Sequence, residues 1–252
     1  MITKYTITPL IVGACESPEA RLLYLGDPEK TIPTNFTFFL LKSDDKTILV
    51  DVGFTAEYGK QYMPDVKQEE CQDPVAQMKA HGVEPEDVDE IIITHAHFDH
   101  LSDVIHEFKN ARIYIQKKEI EFITHPPHPW FSEFVDMELV RSLMKEGAPR
   151  LNLIDGEVEL FPGIRTVLTP GHTMGHQSVL VETESGTRCI TGDAVLNYRN
   201  LEEDVGVGFN CSLIDSLQSL KKLRGLTEEG VIMLPGHDPK MLEISNSEEN
   251  QS

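Results

Sequence analysis

The sequence predicts an α/β fold of four layers, two mixed sheets with helices on their outer faces. Two observations predict it. Short apolar runs of strand length recur along the 252 residues, and helical patterns fall between them. Their order is also telling: strands come first, helices intervene, and a second set of strands follows with one more helix.

Residues 3–13 alternate roughly as a strand. Phe36 to Leu41 is a continuous apolar run, and Thr47 to Val52 follows the polar turn Ser43-Asp44-Asp45-Lys46. Together these read as an antiparallel meander. Residues 54–71 place Phe54, Tyr58, Tyr62 and Met63 among charges and read as a loop, either a lid or an outlying part of the core. A helix is expected over 74–82, with Asp73 as N-cap, Pro74 in the first turn and Gly82 as the stop. Glu90 to Thr94, with its Ile91-Ile92-Ile93 core, reads as a buried strand.

Further strands are expected near 111–115, 163–169, 177–183, 187–192 and 231–235, and helices near 101–108, 117–124, 132–146 and 213–224. The Pro-rich stretch His125 to Phe131, with the single Trp130, reads as a second loop over a pocket or the core. A single domain over 1–242 is expected, followed by a polar tail over 243–252.

Composition narrows the function. The 22 Lys and Arg against 42 Asp and Glu give a net charge of −20, spread evenly over both halves. Nucleic-acid binding, which draws on a basic patch, is disfavoured. No run approaches the roughly 20 apolar residues of a membrane span. Val12-Gly13-Ala14-Cys15 resembles a lipoprotein cleavage site, but Lys4 alone precedes it as a cation and Pro9 interrupts the apolar stretch. It reads instead as the first strand of a cytoplasmic protein. Cys15, Cys71, Cys189 and Cys211 form no CxxC pair, which argues against a thiolate zinc site and a disulfide framework.

The chemistry concentrates in Thr94-His95-Ala96-His97-Phe98-Asp99-His100, directly after a predicted strand. Extended backbone sends His95 and His97 to one side, and a turn beyond them lets Asp99 and His100 project back. A lone histidine is ordinarily a core or surface group, and a lone Asp99 could merely cap a helix. Three imidazoles and a carboxylate within six residues are different, because clustering them away from water is costly unless a cation pairs them.

With three later segments, this motif resembles the metallo-β-lactamase superfamily. They are Thr169-Pro170-Gly171-His172-Thr173-Met174-Gly175-His176, then Thr191-Gly192-Asp193-Ala194, then Leu234-Pro235-Gly236-His237. The resemblance covers nearly the whole chain. It implies an αββα sandwich with a site at one edge, where His95, His97 and His172 would hold one divalent metal. Asp99, His100 and His237 would hold a second, and Asp193 would bridge the two. The imidazole and carboxylate set favours zinc, with iron, manganese, cobalt and nickel as the other options. Asp51 matches a position that supports the metal loops, His176 resembles a supporting residue rather than a ligand, and His81, His106, His125 and His128 read as surface residues.

The resemblance implies a hydrolase in which two metals activate a water against a carbonyl, with Asp99 relaying its proton. Within the superfamily the His97-Phe98-Asp99-His100 sequence and the chain length look most like the N-acyl-homoserine lactone lactonases and pyridoxolactonase-like enzymes. Those relatives use a Tyr shortly after the bridging Asp to polarise the lactone. Here Leu196 stands closest and Tyr198 is the nearest candidate. The expectation is a lactonase that acts on a small molecule, without nucleic-acid or membrane partners, and is able to form a homodimer through the 54–72 arm. Hydrolysis of a cyclic amide or thioester at the same site is the alternative, and a non-catalytic metal-binding scaffold is the alternative of another class.

Overall fold

The computed structural model describes residues 3–145 and 149–243. The first half runs β1 (Thr6–Pro18), α1 (Glu19–Leu22), β2 (Thr31–Lys42), β3 (Thr47–Val50), α2 (Ala56–Tyr62), α3 (Pro74–Ala80), β4 (Glu90–Ile92), β5 (Arg112–Gln116) and α4 (Lys117–Thr124). The second runs α5 (Met137–Lys145), β6 (Leu151–Ile154), β7 (Glu159–Phe161), β8 (Ile164–Leu168), β9 (Gln177–Thr183), β10 (Gly186–Ile190), α6 (Tyr198–Glu202), α7 (Leu213–Glu228) and β11 (Ile232–Leu234). The expected α/β fold with two mixed sheets is what forms.

The chain divides into two compact units. One gathers the described residues of 7–14 and 36–155, and the other those of 1–6, 15–35 and 156–252. The sheet of six strands has the order β1-β2-β3-β4-β5-β6. β2 and β3 are antiparallel, whereas β3 to β6 are successive parallel neighbours. Val50 pairs with Ile92 and Ile92 with Tyr114, so β3, β4 and β5 end at the same edge. Carboxyl ends of parallel strands are where α/β sheets place their chemistry. Ile48 to Val50 and Ile91 to Ile93 are fully buried throughout, as the unbroken apolar runs required. Ile120 of α4 and Val140 and Leu143 of α5 close over Ile93, Ile113 and Ile115 around a small apolar space.

The five-stranded sheet of the other unit has the order β11-β10-β9-β8-β7. Its β10–β11 pair is parallel and the rest antiparallel. α7 lays Leu220 and Leu223 against Val167, Leu180, Cys189 and Met233. Ser212 caps it, its hydroxyl accepting the Asp215 amide proton at 3.3 Å. The segments after β8, β10 and β11 leave this sheet at one edge, because β8 and β10 both run antiparallel to β9 and β11 runs with β10.

Several expectations change. The helix over 101–108 is only a 3-10 turn, Asp103–His106, because Ser102 is extended and caps a new start with its hydroxyl on the Val104 amide. The helix expected over 132–146 begins at Met137, since the Asp136 carboxylate accepts from the Glu138 and Leu139 amides and sets the N-terminus there. Residue 146 and the tail from 244 onward lie outside the described residues. The 54–71 loop contains α2, capped by Thr55 and docked through the Tyr58 hydroxyl, which donates to Asp136 at 3.1 Å. The short strands β6 and β7 carry no strong apolar run and are not legible in the sequence.

Candidate metal centre

The first unit supplies the segment 94–100, and its backbone is held in an alternating pattern. The Thr94 amide donates to Asp51 Oδ1 at 2.8 Å, the Ala96 amide to Glu119 Oε1 at 3.0 Å, the Phe98 amide to the Phe134 carbonyl at 2.8 Å and the His100 amide to the His97 carbonyl at 3.0 Å. The residues between these anchors are His95, His97 and Asp99. Both histidines and His100 are buried, while Asp99 keeps partial access to solvent.

Asp51 is the hub at the end of β3. It adopts φ 64°, a left-handed conformation that Asp tolerates better than most side chains. Its Oδ2 accepts from His100 Nδ1 at 2.7 Å and from the Thr94 hydroxyl at 2.9 Å. Burial pushes this carboxyl above the usual Asp range, and His100 and Thr94 oppose that rise. Since Nδ1 of His100 donates to Asp51, Nε2 presents its lone pair, and it faces Asp99 Oδ2 at 3.2 Å. His95 Nδ1 lies 3.1 Å from the Thr94 hydroxyl, whose proton goes to Asp51, so His95 donates there. That leaves its Nε2 lone pair 3.0 Å from His97 Nδ1.

The second unit repeats this logic. His172 follows Gly171, where φ is +136° and a Cβ would lie 2.3 Å from the Ser216 amide nitrogen. Only glycine fits so close to α7. His172 Nδ1 donates to the Phe209 carbonyl at 2.7 Å, and His237 Nδ1 donates to the Asn35 carbonyl at 2.7 Å. The Phe209 segment is seated on α1, where the Phe209 amide donates to the Arg21 carbonyl at 2.9 Å. A Cβ at Gly208 would lie 1.9 Å from the Ala20 carbonyl oxygen, so this contact too needs glycine. Both Nε2 atoms then present lone pairs to Asp193: His172 to Oδ2 at 3.1 Å and His237 to Oδ1 at 3.1 Å. Asp193 therefore serves two histidines with its two oxygens.

These lone pairs decide the chemistry of the donor set. Three imidazole acceptors face carboxylate oxygens at hydrogen-bond distance, an arrangement that is repulsive without a cation between the partners. Imidazole nitrogen and carboxylate oxygen, with the distal imidazole nitrogens already fixed by carbonyls or carboxylates, suit a divalent metal.

His176 meets the backbone of Asp193. Its Nε2 accepts the Asp193 amide proton at 2.9 Å, which places the ring proton on Nδ1, facing the Thr169 hydroxyl at 2.8 Å. The string continues from Thr169 to Ser178 at 2.9 Å and from Ser178 to the Thr191 carbonyl at 2.8 Å. Tyr198 stands at the start of α6. Its hydroxyl donates to the Met233 carbonyl at 2.9 Å and its amide to Asp238 at 2.9 Å, and burial pushes the phenol above its ordinary range. To polarise a substrate it would have to leave β11. His81, His106, His125 and His128 are exposed. Glu119 was not anticipated as a site residue, although the sequence holds a signal for it: Ile123, four residues on, lies on the buried face of α4.

Residues 32–237 match the metallo-beta-lactamase superfamily. An N-acyl homoserine lactonase from a Bacillus species is 35% identical over 217 residues, 79% of this chain and 80% of that protein. A second, from Bacillus thuringiensis, is 33% identical over 244 residues, 90% of each. The solved structure of an N-acyl homoserine lactone hydrolase, with N-hexanoyl-L-homoserine bound at its catalytic metal centre, superposes with a TM-score of 0.79 at 27% identity, covering 96% of both chains. By this family match, and by relatives that span most of its length, the chain belongs to the metallo-beta-lactamase superfamily.

Proposed function

We propose that this protein is a metal-dependent hydrolase that opens a small cyclic ester, of the N-acyl-homoserine lactone class. The observation that carries the reading is Asp193, whose two carboxylate oxygens each meet a histidine lone pair at 3.1 Å. Such a carboxylate could be shared between two cations. In this reading His95, His97 and His172 would hold one divalent ion, Asp99, His100 and His237 would hold the other, and residues 1–242 would act as one catalytic domain. Zinc is the ion this nitrogen and oxygen set favours. Support for the lactone comes from the relatives, which are lactonases over 79–90% of this chain's length.

When bound, two such ions would acidify water and polarise a carbonyl. The chain's own residues do the rest. Asp51, Phe209 and Asn35 fix the imidazole tautomers of His100, His172 and His237. Asp99, the partly accessible member of the set, would take a proton from the attacking water and return it to the alkoxide leaving oxygen. The test is ring-opening of N-acyl-homoserine lactones by metal-loaded protein, followed as acid release, beside cyclic amides and thioesters. Turnover confined to thioesters or amides would keep the metal site and replace the substrate.

A further inference from the structure

Glu119 is a fully buried carboxylate with no place in the chemistry above. Burying a carboxylate is costly unless its partners are held in place, so its location asks for a reason. It sits in the first turn of α4, immediately after β5, the parallel neighbour of β4. From there Oε1 accepts the Ala96 amide proton at 3.0 Å. Ala96 is itself buried and lies between His95 and His97. Without this acceptor its N–H would face the interior at the centre of the metal-binding segment.

We infer that Glu119 is a positioning residue for the metal ion held by His95 and His97. The other amides of the alternating series are tied either to Asp51 at the end of β3 or to backbone carbonyls. Glu119 ties the segment to the helix that follows β5. Its bond fixes the peptide plane joining the two histidines, and so sets the 3.0 Å approach of His95 Nε2 to His97 Nδ1. The inference rests on the metal reading proposed above and adds to it the residue that sets affinity at one of the two positions.

The test is titration of the metal-depleted full-length chain with zinc against a chromophoric chelator, for wild type and for Glu119→Ala, Glu119→Asp and Glu119→Gln. Folding of each is checked by circular dichroism. Glu119→Ala removes the acceptor and Glu119→Asp withdraws it by one methylene. Both should lower the affinity of one of the two bound ions by roughly 10–100-fold and leave the other unchanged, as losses of supporting contacts at metal sites do. Glu119→Gln keeps an amide oxygen for the Ala96 N–H and should hold zinc within about threefold of wild type, a small step beside the 10–100-fold loss. Unchanged affinity in the Ala and Asp variants would overturn the inference, as would a Gln variant as weak as Ala. If Ala and Asp variants fail to fold while Gln folds, Glu119 supports the fold and the inference is again overturned. Wild-type protein that binds no zinc would instead overturn the functional reading itself.

Discussion

The amide of Asp193 donates to His176 Nε2 at 2.9 Å, so the second histidine of the Gly171–His176 segment holds the backbone of the carboxylate that meets His172 and His237. This relationship separates two histidines that look alike in sequence. His172 shows its Nε2 lone pair to a carboxylate, whereas the Nε2 of His176 is already occupied by a peptide proton. His176→Ala should therefore retain both metals at saturating concentration but bind them roughly 10-fold or more weakly. Zinc competition would show this, and complete loss of one ion would instead make His176 a ligand.

Replacing His97 by Ala removes an imidazole that approaches His95 within 3.0 Å. One metal equivalent per chain should be lost and turnover with it. Elemental analysis of the purified variant gives the answer, and two retained equivalents with normal turnover would contradict the assignment.

Asp99→Asn keeps the size of the side chain and removes its basicity. With proton transfer contributing typically 10²–10⁴-fold, kcat should fall by about that range even when metal is supplied in excess. A variant that turns over at the wild-type rate would exclude Asp99 as the proton carrier.

Tyr198→Phe deletes one hydrogen bond to the Met233 carbonyl. A loss of about 1 kcal/mol in stability is expected, with kcat for lactone opening largely kept. A large fall in kcat at unchanged stability would show that the phenol leaves β11 to meet the substrate.

Glu19 of α1 pairs with Arg199 of α6 and with Lys30, which immediately precedes β2. Those hydrogen bonds hold its carboxyl down at about 2, below an ordinary value of 4.5. A depressed folded-state pKa gives stability that is present above the unfolded value and is lost as pH falls through the folded one. Wild type should thus lose stability relative to Glu19→Gln as pH falls from about 4.5 to 2. Parallel acid-unfolding curves for the two proteins would speak against it.

Much of this site was legible in the sequence because metal ligands must be particular residue types at fixed offsets from strand ends. The four segments that carry the candidate ligands each follow a β-strand, as their apolar runs indicated. What surrounds them was less legible. The support from Glu119 to Ala96 spans 23 positions, and that from Phe209 to His172 spans 37 and is made by a backbone carbonyl that any residue could supply. Side-chain pattern carries no record of such bonds. The 101–108 helix failed for a related reason, since apolar spacing there suited a helix while Ser102 spent its hydroxyl on capping a shorter turn. Tyr198 follows Asp193 closely along the chain, and the bond from its hydroxyl to the Met233 carbonyl is another contact that sequence spacing does not reveal.

The most direct measurement of the central claim is metal content by elemental analysis on the same sample used for a pH-stat screen of lactones, cyclic amides and thioesters. The account predicts two metal ions per chain and ring-opening of N-acyl-homoserine lactones that is lost on chelation and restored by zinc. Protein that holds no metal, and that opens no lactone when zinc, manganese or iron is added, would contradict it.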